Sequence, residues 1–230
     1  MLKLPLHEND INTANLYLRP DQIERVSKLT PAVVDITGRF QVERQRVETF
    51  IQDIYARSYD ATISVDYPTL MSVRNLDGDI LAAVGFRYAE DESLFLENYT
   101  GEPIDAVLNT PRKQIVEIGN LASAGGGASI FLFAALASYL NFNGIKYATV
   151  TGTDYLHRVF KRLGLDPKKI CDASLAAVHS DGQNWGTYYD TNPRVLSGSV
   201  DHSVARLKRA LGAEYQDCRP RLFPRLHYRA

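Results

Sequence analysis

Residues 115–165 read IVEIGNLASAGGGASIFLFAALASYLNFNGIKYATVTGTDYLHRVFKRLGL, and the order of patterns in this stretch decides the fold. Ile115, Val116 and Ile118 are branched apolar residues, which predicts a strand over Lys113–Ala122. The turn Ser123-Ala124-Gly125-Gly126-Gly127-Ala128-Ser129 follows. Ile130–Phe142 is apolar on almost every side, the mark of a buried helix, and Asn143-Gly144 stops it. Lys146–Thr151 is a second strand. Thr153 or Asp154 can cap a helix from Tyr155 to Leu163, whose inner face carries Leu156, Val159, Phe160 and Leu163, and Gly164 terminates it. Strand, helix, strand is a βαβ unit, so two of the strands are expected to be parallel.

Upstream, Val47, Phe50, Ile51, Ile54 and Tyr55 form one stripe of a helix over Val42–Arg57, with Arg44, Arg46, Glu48 and Asp53 filling the other face. Thr69–Arg74 and Ile80–Tyr88 are strands of a hairpin around Asn75–Asp79, where Gly78 can take positive φ. Leu94–Tyr99 reads equally as a short strand or a helix start. Downstream, Asn184–Asp190 and Val195–Val200 read as strands around Thr191-Asn192-Pro193. His202–Leu211 reads as a helix with Val204, Leu207 and Leu211 inward, and Pro220 and Pro224 argue for an extended tail after Cys218. The expected fold class is α/β with a mixed sheet. Its expected divisions are an N-terminal extension (1–40), a core (41–200) and a C-terminal helix with a basic tail (201–230).

Composition bounds the function. The chain has 230 residues, 45% hydrophobic and 23% charged, with a net charge of -1. That is ordinary for a globular protein and gives no global pull toward nucleic acid. From Arg206 onward the basic residues Arg206, Lys208, Arg209, Arg219, Arg221, Arg225 and Arg229 outnumber Glu214 and Asp217. Such a tail reads as a solvated end, or as a contact for a carrier protein, a phosphate or a membrane surface. Cys171 and Cys218 have no metal spacing, and reduced thiols are the simpler reading. The first twenty residues lack the apolar region of a signal peptide, and 130–142 is shorter than the ~18 residues a span needs. A cytoplasmic location is the expectation, with the inner membrane surface reachable through the tail.

Three features carry chemistry. Successive glycines before a helix start leave N–H groups and a positive dipole end open to a pyrophosphate, although a surface turn has the same grammar. The stretch is not G-x-x-x-x-G-K-[ST], and Ile130 stands where G-x-G-x-x-G needs its last glycine. Glu117 lies in an apolar strand, where a carboxylate gains a raised pKa and can accept a proton, or else forms a structural ion pair. Trp185-Gly186-Thr187-Tyr188-Tyr189-Asp190 is an aromatic cluster suited to a pocket wall or to the core. There is no G-x-S-x-G and no H-E-x-x-H, and the five histidines are scattered, so no metal is expected.

Val116–Ser123 with Arg162-Leu163-Gly164-Leu165, Trp185–Tyr189 and Pro193-Arg194-Val195 resembles the thermostable hemolysin family. Arg46–Ile51 and Leu94–Tyr99 fit the same pattern, so the resemblance spans about 46–200. That family is similar to GNAT acyltransferases and acyl-homoserine-lactone synthases. The resemblance implies a GNAT-like fold with splayed central strands and a C-terminal extension. It implies that the backbone of Asn120, Leu121 and Ala122 pairs with the pantetheine arm of an acyl thioester. It places the donor's pyrophosphate at Gly125, Gly126, Gly127, Ala128 and Ser129. It makes Glu117 the general base. The tyrosine common four residues before Gly164 is Phe160 here, so either another group such as Tyr155 serves as the acid or the thiolate leaves without a side-chain acid. The implied activity is N-acyl transfer, of a long chain, from acyl-CoA or an acyl carrier protein to an amine, with an amino acid as one acceptor. Alternatives are a membrane-active cytolysin and a GNAT-like binding module without catalysis. A homodimer stays open.

Overall fold

The computed structural model describes residues 1–178 and 183–219. Its strands are β1 (Leu2–Glu8), β2 (Ile11–Leu18), β3 (Val33–Thr37), β4 (Thr69–Arg74), β5 (Ile80–Tyr88), β6 (Ile115–Ser123), β7 (Tyr147–Gly152), β8 (Lys168–Asp172), β9 (Arg194–Ser199) and β10 (Glu214–Asp217). They form one open sheet in the order β10-β2-β1-β3-β4-β5-β6-β7-β9-β8. β1/β3 and β6/β7 pair parallel and the remaining pairs are antiparallel. The parallel β6/β7 pair is the one that the βαβ pattern predicts, since only a crossover can join parallel neighbours.

The helices are α1 (Pro20–Ile23), α2 (Arg44–Tyr59), α3 (Glu97–Thr100), α4 (Ile104–Leu108), α5 (Ala128–Phe142), α6 (Asp154–Arg162) and α7 (Val200–Leu211). α5 lies under the centre of the sheet and buries Phe131, Leu132, Ala135 and Leu136 with Met71, Val84, Phe86 and Val116. α7 adds Leu207 and Leu211 to that layer. α2 covers the opposite face, where Val47, Ile51 and Tyr55 meet Leu70, Ala83 and Ala122. Strand alternation sorts the side chains: Ala82, Val84 and Phe86 face α5, while Ala83 faces α2.

Three expectations are changed and one open reading is decided. Residues 184–190 are not a strand. Asn184 makes a single bridge with Thr62, and Tyr188–Thr191 form a 3-10 turn. Gly186 at φ 50 turns the chain so that the Thr187 N–H reaches the Tyr59 carbonyl at 2.7 Å, docking the segment on the end of α2. Arg44 is buried rather than on the solvent face: it pairs with Glu48 at 2.6 Å and donates to the carbonyls of Val65, Tyr67 and Pro68. Leu94–Tyr99, read equally as strand or helix start, is the helix start: α3 begins at Glu97. Residues 1–40, in which no element was read, supply three strands. The tail beyond Arg219, with Arg221, Arg225 and Arg229, lies outside the described residues. Cys171 and Cys218 are free thiols.

Candidate active site

The site begins where two strands part. β6 and β7 pair from Ile115–Tyr147 to Ile118–Val150 and no further, although β6 continues to Ser123 and β7 to Gly152. The cause is on the other edge of β6. Its register with β5 jumps from Gly85–Gly119 to Ala83–Ala122, so Asn120 and Leu121 together oppose Val84. Asn120 takes φ 50 to make this bulge. A bulge bends its strand and frees the polar backbone groups beside it. The opening widens into a cleft of about 770 Å³ between α2, α6 and the start of α5.

The glycine turn floors one end of the cleft. Gly125, Gly126 and Gly127 have φ of 94°, 61° and 85°, a run that side chains rarely adopt. A Cβ on Gly127 would also sit 2.5 Å from the Val26 carbonyl. The N–H groups of Gly126, Gly127 and Ser129 make no hydrogen bond among the described residues, and the start of α5 has no side-chain cap. This leaves an anion nest at the positive end of a 15-residue helix. Arg25 and Arg162 stand at the same cleft. Arg25 was not singled out in the sequence. It comes from the loop after α1, held on the glycine turn by the Ser27 hydroxyl, which donates to the Gly126 carbonyl at 2.8 Å.

Of the expected binding residues, Asn120, Leu121, Gly125, Gly126, Gly127 and Ser129 line the cleft. Ala122 and Ala128 are buried and their side chains do not. Tyr155 lines the cleft at its mouth and is 65% exposed. Phe160 packs on Phe133 and borders a small apolar pocket of about 90 Å³ that shares Leu121, Phe133, Val150 and Leu156 with the cleft. Two further phenols, read in the sequence as core or cluster residues, stand where the strands part. Tyr188 donates to the Thr151 carbonyl at 3.3 Å, and Tyr55 lies beside Asn120. The aromatic cluster marked Tyr188 as a possible pocket wall, but nothing local marks Tyr55, because only docking of 184–191 on α2 brings the two together.

Glu117 lies on the α2 face and is 1% exposed. Its two oxygens accept from the N–H groups of Phe95 and Leu96, each at 2.9 Å, and Arg87 Nε is 3.5 Å away. Burial raises its pKa to about 7, against the opposing pull of Arg87 and the two N–H groups. It borders neither the cleft nor the pocket described next. Tyr67 lies flat over Gly85 and Gly119, where a Cβ on either glycine would overlap its ring. Beside it is a second pocket, lined by Asp66, Tyr67, Arg87, Phe95, Tyr99 and Trp185 among others, which meets the cleft at Gly119, Asn120, Thr151, Tyr55 and Tyr188. Among the described residues no group of three or more His, Cys, Asp or Glu side chains is placed to hold a metal ion.

An open mixed sheet parted beside a glycine nest is a GNAT-like fold, and solved structures share it. The AHL synthase LasI aligns at 16% identity and TM-score 0.54, over 77% of this chain and 93% of its own. FeeM, an N-acyl amino acid synthase from uncultured soil microbes, aligns at 13% and 0.56, over 78% and 96%. BjaI, a CoA-dependent acyl-homoserine lactone synthase solved with SAM and isopentyl-CoA, aligns at 12% and 0.57, over 78% and 89%. The chain belongs to the thermostable hemolysin family, whose sequence profile matches residues 38–204. No curated protein matches it in sequence.

Proposed function

We propose that the protein is an N-acyltransferase that moves an acyl group from a thioester donor to an amine. The observation that carries this reading is the continuity of two pockets through the β6–β7 parting, one floored by an anion nest and the other lined by aromatic groups. A thioester arm laid along residues 119–123 would present its carbonyl at the parting, where an amine from the second pocket can attack. The C–N bond forms, the C–S bond breaks, and no covalent enzyme intermediate is needed. Holding the two reactants in line supplies most of the catalysis, with backbone N–H groups near the bulge facing the oxyanion.

In this reading the amine's proton passes to Glu117. The carboxylate is sealed behind Arg87 and the 94–96 loop, so a relay through water in the second pocket is required. The leaving thiolate takes a proton from Tyr155 at the mouth, or from Tyr188 at the parting. Gly125, Gly126, Gly127 and Ser129, with Arg25 and Arg162, hold the donor's phosphates. They suit the diphosphate of acyl-CoA and the single phosphodiester of an acyl carrier protein alike. The apolar pocket walled by Leu121, Phe133 and Phe160 can take part of an acyl chain, the remainder lying along the cleft. FeeM, by its description, makes N-acyl amino acids, and an amino acid is the acceptor class we favour here.

The deciding test is mass spectrometry of lipids from cells expressing the protein, beside cells expressing Gly127→Val. A new acylated amine that depends on the intact nest supports the assignment. Identical lipid profiles, with no product from purified protein given acyl-CoA or acyl carrier protein and mixed amino acids, would overturn it.

A further inference from the structure

Arg87 stands opposite Glu117 on the face of the sheet away from α5. Its side chain is only 12% exposed, and its guanidinium lies 4.4 Å from the centre of the Tyr67 ring. Glu92 and Glu117 each approach it at 3.5 Å, but Arg87 donates no hydrogen bond among the described residues, and its Nε is buried without an acceptor. A guanidinium carries five N–H donors, and leaving them unmet in a closed site is costly. The fold does better elsewhere. Arg44 donates to Glu48 and three carbonyls, and Arg112 donates to two carbonyls, Glu97 and Asp105. Arg44 and Arg112 thus use their donors as structural ties, and Arg74, which leaves Nε and Nη2 without a hydrogen bond, still donates to Glu43 at 2.8 Å and borders no pocket described above. The donors of Arg87 are held toward the second pocket.

We propose that Arg87 binds the carboxylate of the acceptor, which makes the amine substrate an α-amino acid with an apolar or aromatic side chain. This rests on the acyl-transfer reading above and names the acceptor for it. The planar fork of arginine matches a carboxylate through two parallel hydrogen bonds. Glu92 is 36% exposed and can swing into solvent as the substrate's carboxylate takes its place. Phe95, Tyr99 and Trp185 supply the apolar wall for the side chain. Asp66 gives the pocket one negative charge against the positive one, complementary to a zwitterion. The pocket opens on Asn120 and Thr151, so an amine one carbon from a carboxylate held at Arg87 points to the strand parting.

Trp185 is the one tryptophan of the chain, so its fluorescence reports on this pocket without any turnover. Purified protein is titrated with phenylalanine, tyrosine and leucine, and with the amines that lack their carboxylates (phenethylamine, tyramine and isopentylamine). At least one amino acid is expected to bind about tenfold or more tightly than its decarboxylated partner, the worth of one charge-assisted pair. Arg87→Lys keeps a cation beside Glu117 and is expected to fold. It should weaken the amino acid about tenfold while leaving the amine unchanged. Equal binding of both forms to the wild type, equal weakening of both in Arg87→Lys, or no binding of any amino acid at millimolar concentration overturns the assignment. Carboxylate-dependent binding without acyl product from any donor would instead keep Arg87 and sink the transfer reading.

Discussion

Glu117 holds opposing influences in balance. Burial disfavours its charge, while Arg87 and two backbone N–H groups favour it, and the carboxyl settles near a pKa of about 7. The folded value lies above the ordinary 4.5, so the native state binds the proton more tightly than the unfolded chain. Glu117's contribution to stability is therefore greatest below 4.5 and is lost as pH rises through 7. Glu117→Gln should flatten that loss in unfolding curves measured from pH 5 to 8. If Glu117 receives the amine's proton, kcat/KM of the wild type rises with pH around 7, and the Gln variant falls by about 10²–10⁴ and loses that limb. A limb that persists in Glu117→Gln moves the base elsewhere and leaves Glu117 as the post that fixes the 94–96 loop. The sequence pointed to this residue because a carboxylate in an apolar strand is costly. It could not show which of the two roles the surroundings favour, since Phe95, Leu96 and Arg87 come from other elements. The same limit hid Tyr55, and left Tyr188 undecided between pocket wall and core. A comparison of Tyr155→Phe with Tyr188→Phe separates mouth from parting. The one that protonates the thiolate should lose kcat with its natural donor and recover with an aryl thioester, whose thiol is a better leaving group.

The glycine turn and α5 act as one element, and here the local grammar was legible. A strand, three glycines and an apolar helix need no tertiary knowledge to be read as a crossover with an open helix start. The bulge was not legible, because it falls at Asn120 rather than at a glycine or proline and exists only in the register with β5. The N-terminal strands were missed for a related reason. Leu2, Leu4 and Leu6 alternate as a strand should, but Pro5 interrupts the signal and the partner β3 begins 25 residues past the end of β1. The turn makes a sharp prediction. Gly127→Ala combines a left-handed φ with a Cβ against the Val26 carbonyl, whereas Gly144→Ala has φ 78 and open space around it. Gly144→Ala should cost about 1–2 kcal/mol from backbone strain alone. Gly127→Ala should cost more than Gly144→Ala in denaturant unfolding and should also raise the donor's KM. Equal KM values in the two variants would separate the nest from the donor. A narrower test concerns α6. Phe160→Trp fills the apolar side pocket and should shift product chains toward shorter acyl groups, read by mass spectrometry.

At the scale of the whole molecule the family's name raises the question of whether the folded protein itself breaks membranes. Among the described residues no helix is long and apolar enough to cross a bilayer. α5 is the most apolar, but its 15 residues reach about 22 Å against a hydrocarbon core of ~30 Å. It is also the centre of the fold: Phe131, Leu132, Ala134 and Ala135 are buried against β4, β5 and β6. Releasing it would expose side chains whose burial is each worth roughly 1.5–3 kcal/mol for the larger ones, a total no marginally stable domain can lose and stay folded. The exposed large apolar side chains include Phe40 and Val42, two residues apart in the loop before α2, and Leu76 and Leu175 elsewhere; none lies on a helix long enough to insert. An N-acylated amino acid, by contrast, is a surfactant, with one charged head on a long apolar chain. Were such a compound the product, as proposed above, lysis would need no rearrangement of the protein. Dye-loaded vesicles should stay sealed with purified protein alone, and should leak in proportion to product once acyl thioester and amino acid are both supplied. Gly127→Val, unable to seat the donor, should leave them sealed under every condition. Leakage by the protein alone, equal in the wild type and in Gly127→Val, would mean that the polypeptide itself is the lytic agent.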